Sequence, residues 1–119
     1  MEKVNLLFVF LGGAIGAVLR FEVSHLWNRK KKIPLGTFFA NVTGGILLGV
    51  LIKIYEITGF PESAWLLLAT GFCGGYTTYS TFSYEVFQLL DQKKWGAAAL
   101  YLGSSILITI TAVWSVLKI

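Results

Sequence analysis

The chain has 119 residues, of which 55% are hydrophobic and only 13% are charged, and its mean hydropathy is +0.71. Soluble domains average roughly 25% charged residues, so this composition excludes a sizeable soluble domain and indicates a membrane protein. The net charge of +4 does not indicate nucleic-acid binding, because the basic residues cluster at predicted membrane edges. The single cysteine, Cys73, excludes an internal disulfide and a cysteine-rich metal site.

Four apolar segments are long enough to cross a bilayer, whose core of about 30 Å requires roughly 20 apolar residues per helix. The predicted spans cover residues 5–27, 34–55, 63–90 and 95–117. The short connections leave no room for further structure, so we predict one all-α membrane domain, residues 1–119, with sequence neighbours packed antiparallel. The positive-inside rule places its two basic loops, 28–32 and 91–94, in the cytoplasm.

The first span carries an arginine near its far end. Arg20 lies about 22 Å along the helix from Asn5, at 1.5 Å per residue. It is predicted to attract anions into a vestibule; the alternative is an arginine near Glu22 whose charged end snorkels to the membrane surface.

In the second span, the amide of Asn41 can donate two hydrogen bonds. It either contacts a transported ion or bridges helices.

The third span contains three glycines and many hydroxyl side chains within residues 71–85. A loosened backbone is tolerated at membrane depth only inside a protein bundle or along a water-filled path. We therefore predict a helix broken near Gly74–Thr78, at the working part of a transport protein. Beyond the break, Tyr79 and Phe82 lie three residues apart, so their positive ring edges line an anion path or simply pack.

The fourth span carries a hydroxyl every four residues, which places Tyr101, Ser105 and Thr109 in one stripe. Such hydroxyls often bond to the carbonyls of their own helix. With Asn41 available opposite, the pattern favours a polar track that replaces water around a small anion.

Pairs of glycines four residues apart occur in three of the spans, a spacing that lets helices approach closely. They pack helices within one chain or, as three pairs together favour, in a tight dimer. The pairs are Gly12 with Gly16, Gly45 with Gly49, and Gly71 with Gly75.

Three motifs carry a family resemblance. They are Gly-Gly-Ala-Ile-Gly-Ala-Val-Leu-Arg at 12–20, Pro-Leu-Gly-Thr-Phe-Phe-Ala-Asn at 34–41, and the glycine- and hydroxyl-rich stretch at 71–85. On these motifs the chain resembles the small fluoride channels of the Fluc (CrcB) family over essentially its whole length. The resemblance implies a dual-topology dimer of antiparallel subunits in the plasma (inner) membrane, with two fluoride pathways at the interface. It also implies a structural sodium ion, held by the backbone carbonyls of Gly74 and Thr77.

The resemblance also implies a role for each candidate residue. Asn41 is the amide that meets fluoride, Tyr101, Ser105 and Thr109 form the track, and two pathway phenylalanines fall at positions 79 and 82. The chain departs from the family at the first of these, where Tyr79 adds an O–H donor. The implied function is passive exit of fluoride, which protects the cell against its toxicity. Tyr79 and the excess of basic residues in two loops together suggest an alternative: a chain with fixed orientation that pairs with an oppositely inserted homologue.

Three rival functions are weaker. A small multidrug exporter needs a carboxylate near the middle of its first helix, and residues 8–19 contain none. A membrane scaffold is the non-transport alternative, with glycines that serve only packing. An enzyme is not predicted, because His25 is the only histidine and the spans contain no nucleophile–base arrangement.

Overall fold

The structure is a computed structural model that describes residues 2–27 and 34–119, and every regular element within those ranges is helical. The elements are α1 (Glu2–Trp27), α2 (Leu35–Thr58), α3 (Glu62–Trp65), a π-helix (Leu66–Cys73), α4 (Gly74–Tyr76), α5 (Ser80–Asp91) and α6 (Trp95–Leu117). The predicted all-α class is confirmed. The basic loop at 28–32, on which the orientation prediction largely rests, lies outside the described residues.

Three of the described helices are long and apolar enough to cross a membrane: Val4–Leu26, Leu35–Thr58 and Trp95–Leu117. Local sequence sets where α2 ends. Gly59 adopts a left-handed conformation (φ 61°) and donates its N–H to the Tyr55 carbonyl, a helix C-terminus that glycine permits without strain. Pro61 then precedes α3, in keeping with its missing N–H.

The third predicted span, 63–90, falls within residues 62–91 of the structure, which we call the third segment, and this segment is not one helix. Helical backbone runs through α3, the π-helix and α4, stops at residues 77–79, and resumes as α5. Thr77 is extended, with φ −86° and ψ 159°. The break overlaps the predicted region Gly74–Thr78, and the three glycines lie in helical backbone just before it. Gly71 and Gly75 pack closely against α1, whereas a Cβ built on Gly74 would meet nothing within 4 Å.

Gly12 and Gly16 of α1 lie directly against the backbone of the third segment, and Gly75 lies against Gly13. A Cβ on Gly12 would stand 2.8 Å from the backbone nitrogen of Phe72, closer than real Cβ atoms approach. Likewise, Gly45 and Gly49 of α2 contact side chains of α6. The glycine pairs therefore pack helices within the chain and give no support for a dimer.

The closest packing joins α1 to the π-helix and α2 to α6. Both pairs run parallel: successive glycines of α1 meet successive turns of the third segment, and Gly45 and Gly49 meet successive residues of α6. Sequence neighbours α5 and α6 contact each other less extensively. Packing is thus tightest between the first and third spans and between the second and fourth, where the glycines leave room for the neighbouring helix.

Candidate functional site

The break in the third segment is held by Asn41 of α2. Its Oδ1 accepts the N–H of Thr78 at 2.8 Å, and its Nδ2 donates to the Thr78 carbonyl at 3.0 Å. One side-chain amide thereby satisfies both backbone groups of a residue that has left the helix. A continuing helix would bond the Thr78 N–H to the carbonyl of Gly74, so Asn41 takes the place of that bond.

Arg20 contacts the same region from α1. Its Nε donates to the Gly75 carbonyl at 3.1 Å, and the side chain is half-buried. Helical side chains tilt towards the helix N-terminus, so the Arg20 side chain points back along α1 from its position near the C-terminal end of that helix. Arg20 does not line the groove described below, and its vestibule role stays a prediction.

The carbonyls around the break fall into two groups. Those of Cys73, Gly75 and Thr78 accept hydrogen bonds: Cys73 from both the N–H and the hydroxyl of Thr77, the other two from Arg20 and Asn41. Those of Gly74 and Thr77 accept none from any residue in 2–27 or 34–119. Both of these residues line the groove.

That groove has a volume of about 760 Å³ and runs between α2, the third segment and α6. Much of its wall is apolar and includes Leu48, Ile106 and Ile110. No charged side chain of the described residues lines it. Five of the six predicted fluoride-pathway residues do: Asn41, Tyr79, Phe82, Ser105 and Thr109.

Ser105 is the most informative of these residues. It is 6% exposed, and its hydroxyl has no hydrogen-bond partner within the part of the chain that the structure describes. A buried hydroxyl left without a partner costs about 1–3 kcal/mol, and each such group requires an explanation. Because Ser105 lines the groove, its hydroxyl can bond to a group that enters the groove.

Tyr101, the sixth predicted pathway residue, does not line the groove. It is completely buried and donates its O–H to Oε1 of Glu85 at 2.8 Å, while Thr37 donates to Oε2 at 3.0 Å. The ring of Phe82 lies against that of Tyr101, with centroids 5.0 Å apart. The structure therefore divides the predicted stripe: Ser105 and Thr109 lie at the groove, and Tyr101 holds a carboxylate behind Phe82.

The sequence reasoning missed Thr37 and Glu85. Glu85 is the only carboxylate in the predicted span 63–90. Because an ionisable group inside a membrane needs a partner, that isolation was the signal that could have pointed to a hydroxyl-lined site for Glu85.

Comparison with known proteins gives the same assignment as the motifs. The sequence model of a family described as CrcB-like protein, Camphor Resistance (CrcB), matches residues 7–117. The chain belongs to the CrcB family. Its relatives include a protein of Serratia proteamaculans, 43% identical over 114 residues that cover 91% of this chain and 90% of the relative. A protein of Acidobacterium capsulatum is 42% identical over 112 residues, which cover 91% and 89% of the two chains. Both are named "Fluoride-specific ion channel FluC".

As a CrcB-family chain with three span-length apolar helices, this is a multi-pass membrane protein. The two aromatics of the predicted pathway are placed differently in the groove. Phe82 is 9% exposed, whereas Tyr79 is 82% exposed and lies at the N-terminal end of α5, where its carbonyl accepts the Ser83 N–H. Tyr79 therefore presents its ring and phenol at the open side of the groove.

The sodium ion that the CrcB resemblance implies requires oxygen ligands, and carbonyls of unwound half-helices supply them in membrane proteins. No group of three or more His, Cys, Asp or Glu suited to a metal ion occurs among the described residues. The unpaired carbonyls of Gly74 and Thr77, three residues apart beside the groove, fit such a hard cation. One chain offers two such carbonyls, those of Gly74 and Thr77.

Proposed function

We propose that this chain is a subunit of a fluoride-specific ion channel through which fluoride leaves the cytoplasm passively, across the plasma (inner) membrane. The observation that carries the proposal is the uncharged groove in which the amide of Asn41 and the unpartnered hydroxyl of Ser105 lie beside the broken helix. The names of the relatives agree with it. The protein is a channel rather than an enzyme.

Fluoride is small and strongly hydrated, so a pore must replace its water with close hydrogen-bond donors. In this groove the donors are the second N–H of Asn41 and the hydroxyls of Ser105 and Thr109, with the ring edges of Tyr79 and Phe82 beside them. A channel site must bind weakly enough for the ion to leave. Neutral donors meet that requirement, because a fixed positive charge would trap the anion.

The functional unit is a dimer with a second subunit inserted antiparallel. A groove open on the face of one chain becomes an enclosed path only when another chain covers it. Two subunits supply two grooves and four unpaired carbonyls, those of Gly74 and Thr77 from each, for one central sodium ion. The second subunit is an identical chain or an oppositely inserted homologue.

Paired efflux measurements from liposomes test this function. Purified protein is reconstituted, and fluoride and chloride efflux are recorded with ion-selective electrodes. The proposal predicts fast fluoride efflux and chloride efflux no faster than from empty liposomes. The proposal would be contradicted if liposomes containing monodisperse protein retained their fluoride, both with this chain alone and after co-reconstitution with a homologue. Proton flux stimulated by drugs would instead favour the multidrug exporter.

A further inference from the structure

The two sides of the break have different contacts. Gly74, at the start of α4, and Thr77, the extended residue directly after α4, both line the groove. Gly75 lies between them in sequence but is turned towards α1, where it packs against Gly13 and its carbonyl accepts the Arg20 Nε–H. Arg20 therefore contacts the residues before the break from the α1 side, on the face opposite the proposed ion path.

We propose that Arg20 is a positioning residue whose hydrogen bond to the Gly75 carbonyl fixes the last helical turn before the break, so that the Gly74 and Thr77 carbonyls stay at the groove. The proposal rests on the proposed function and deepens it. Asn41 provides the matching restraint on the other side, at Thr78. Hydrogen bonds from α1 and α2 thus restrain the chain at positions 75 and 78. The carbonyls of Gly74 and Thr77, which fit a cation, remain unpaired within the described residues.

The contact depends on a donor at one place in the side chain. Nε is the atom attached to Cδ, and it reaches the Gly75 carbonyl at 3.1 Å. A positive charge on its own would not help a neighbouring cation site, since like charges repel. The hydrogen bond, rather than the charge, is therefore the feature that the break requires. An arginine that attracts anions in a vestibule would require the reverse.

Two substitutions separate the donor from the charge. Arg20→Gln removes the charge but keeps an N–H donor attached to Cδ, and Arg20→Lys keeps the charge but has a carbon there. Arg20→Met removes both. Lys53→Gln, on α2, is the control for loss of one positive charge from the protein. Each variant is purified as the full chain and reconstituted, and only monodisperse protein is measured.

Three readouts are compared across these variants. The first is the rate of fluoride efflux, and the second is hydrogen–deuterium exchange at the amides of Thr77 and Thr78, which reports opening of the break independently of transport. The third is the rise in thermal midpoint on replacing potassium with sodium. The fluoride efflux rates of Arg20→Gln and Lys53→Gln are expected to stay within about threefold of the rate of the original chain. Arg20→Lys and Arg20→Met are expected to lose about tenfold in efflux, the effect of one hydrogen bond to a charged group, with faster exchange and a smaller sodium-induced rise.

The opposite ranking, in which Arg20→Gln loses efflux and Arg20→Lys keeps it, would overturn the proposal and favour a vestibule. Slow efflux with unchanged exchange at Thr77 and Thr78 in any Arg20 variant would overturn it too, as would no change in any variant. If the original chain carries no fluoride, the proposed function fails. The exchange rates and sodium response then still decide whether Arg20 holds the break.

Discussion

Glu85 is the residue whose hydrogen bonds join three helices. It projects from α5, and its carboxylate accepts one hydroxyl from Thr37 of α2 and one from Tyr101 of α6. A carboxylate inside the bundle is tolerated only with such partners. It is also the main link by which α5 is tied to α2, because few other contacts join these two helices.

Replacing Glu85 with glutamine should therefore destabilise the protein. The amide keeps one acceptor oxygen but places an NH₂ donor opposite a hydroxyl that now donates. Interhelical hydrogen bonds in membranes contribute about 0.6–1.7 kcal/mol, so we expect a loss of about 1–2 kcal/mol, measured as a lower thermal midpoint in detergent. Glu62→Gln, at the exposed start of α3, is the matched control and should leave the midpoint unchanged; equal effects of the two variants would contradict this account of Glu85.

At the scale of elements, the contact of α1 with the third segment depends on missing side chains. Gly12→Ala would place its Cβ 2.8 Å from a backbone nitrogen that cannot yield as a side chain does. Overpacking of this kind costs about 1–3 kcal/mol. A Cβ on Gly96 meets nothing within 4 Å, so Gly96→Ala should be neutral or stabilising by up to about 1 kcal/mol. Thermal midpoints of the two variants check the difference, and a neutral Gly12→Ala would contradict the close approach.

The sequence predicted the elements better than their contacts. Lengths of apolar sequence indicate helices because the bilayer sets the length, and α6 has the bounds predicted for the last span. The break at residues 77–79 overlaps the predicted region Gly74–Thr78, but the contact that stabilises it, from Asn41, 37 residues away, to the Thr78 N–H, could not be read from local sequence. Tyr101 has the right spacing for the stripe, but its hydroxyl bonds to Glu85. Spacing on one helix does not show which neighbour a side chain meets.

For the whole molecule, the open groove leads us to expect a second subunit. Ile106 lies on the groove wall, whereas Leu107, one residue along α6, is exposed on another face. Ile106→Trp should fill the groove and block the partner. Light scattering, with the detergent contribution subtracted, should give twice the 13.1 kDa chain mass for the original protein and for Leu107→Trp. It should give mostly single chains for Ile106→Trp. A dimer unaffected by Ile106→Trp would place the interface elsewhere.

The claim that fluoride moves through this groove is tested most directly at Ser105. Because its buried hydroxyl has no partner among the described residues, Ser105→Ala removes no hydrogen bond within the described chain and should not lower the thermal midpoint. We expect fluoride efflux from liposomes to fall about tenfold, the effect of losing one hydrogen bond to a charged species. Ser104→Ala, one residue away and not at the groove, should stay within about twofold of the original rate. Unchanged efflux in Ser105→Ala, or equal losses in both variants, would contradict a fluoride path through the groove.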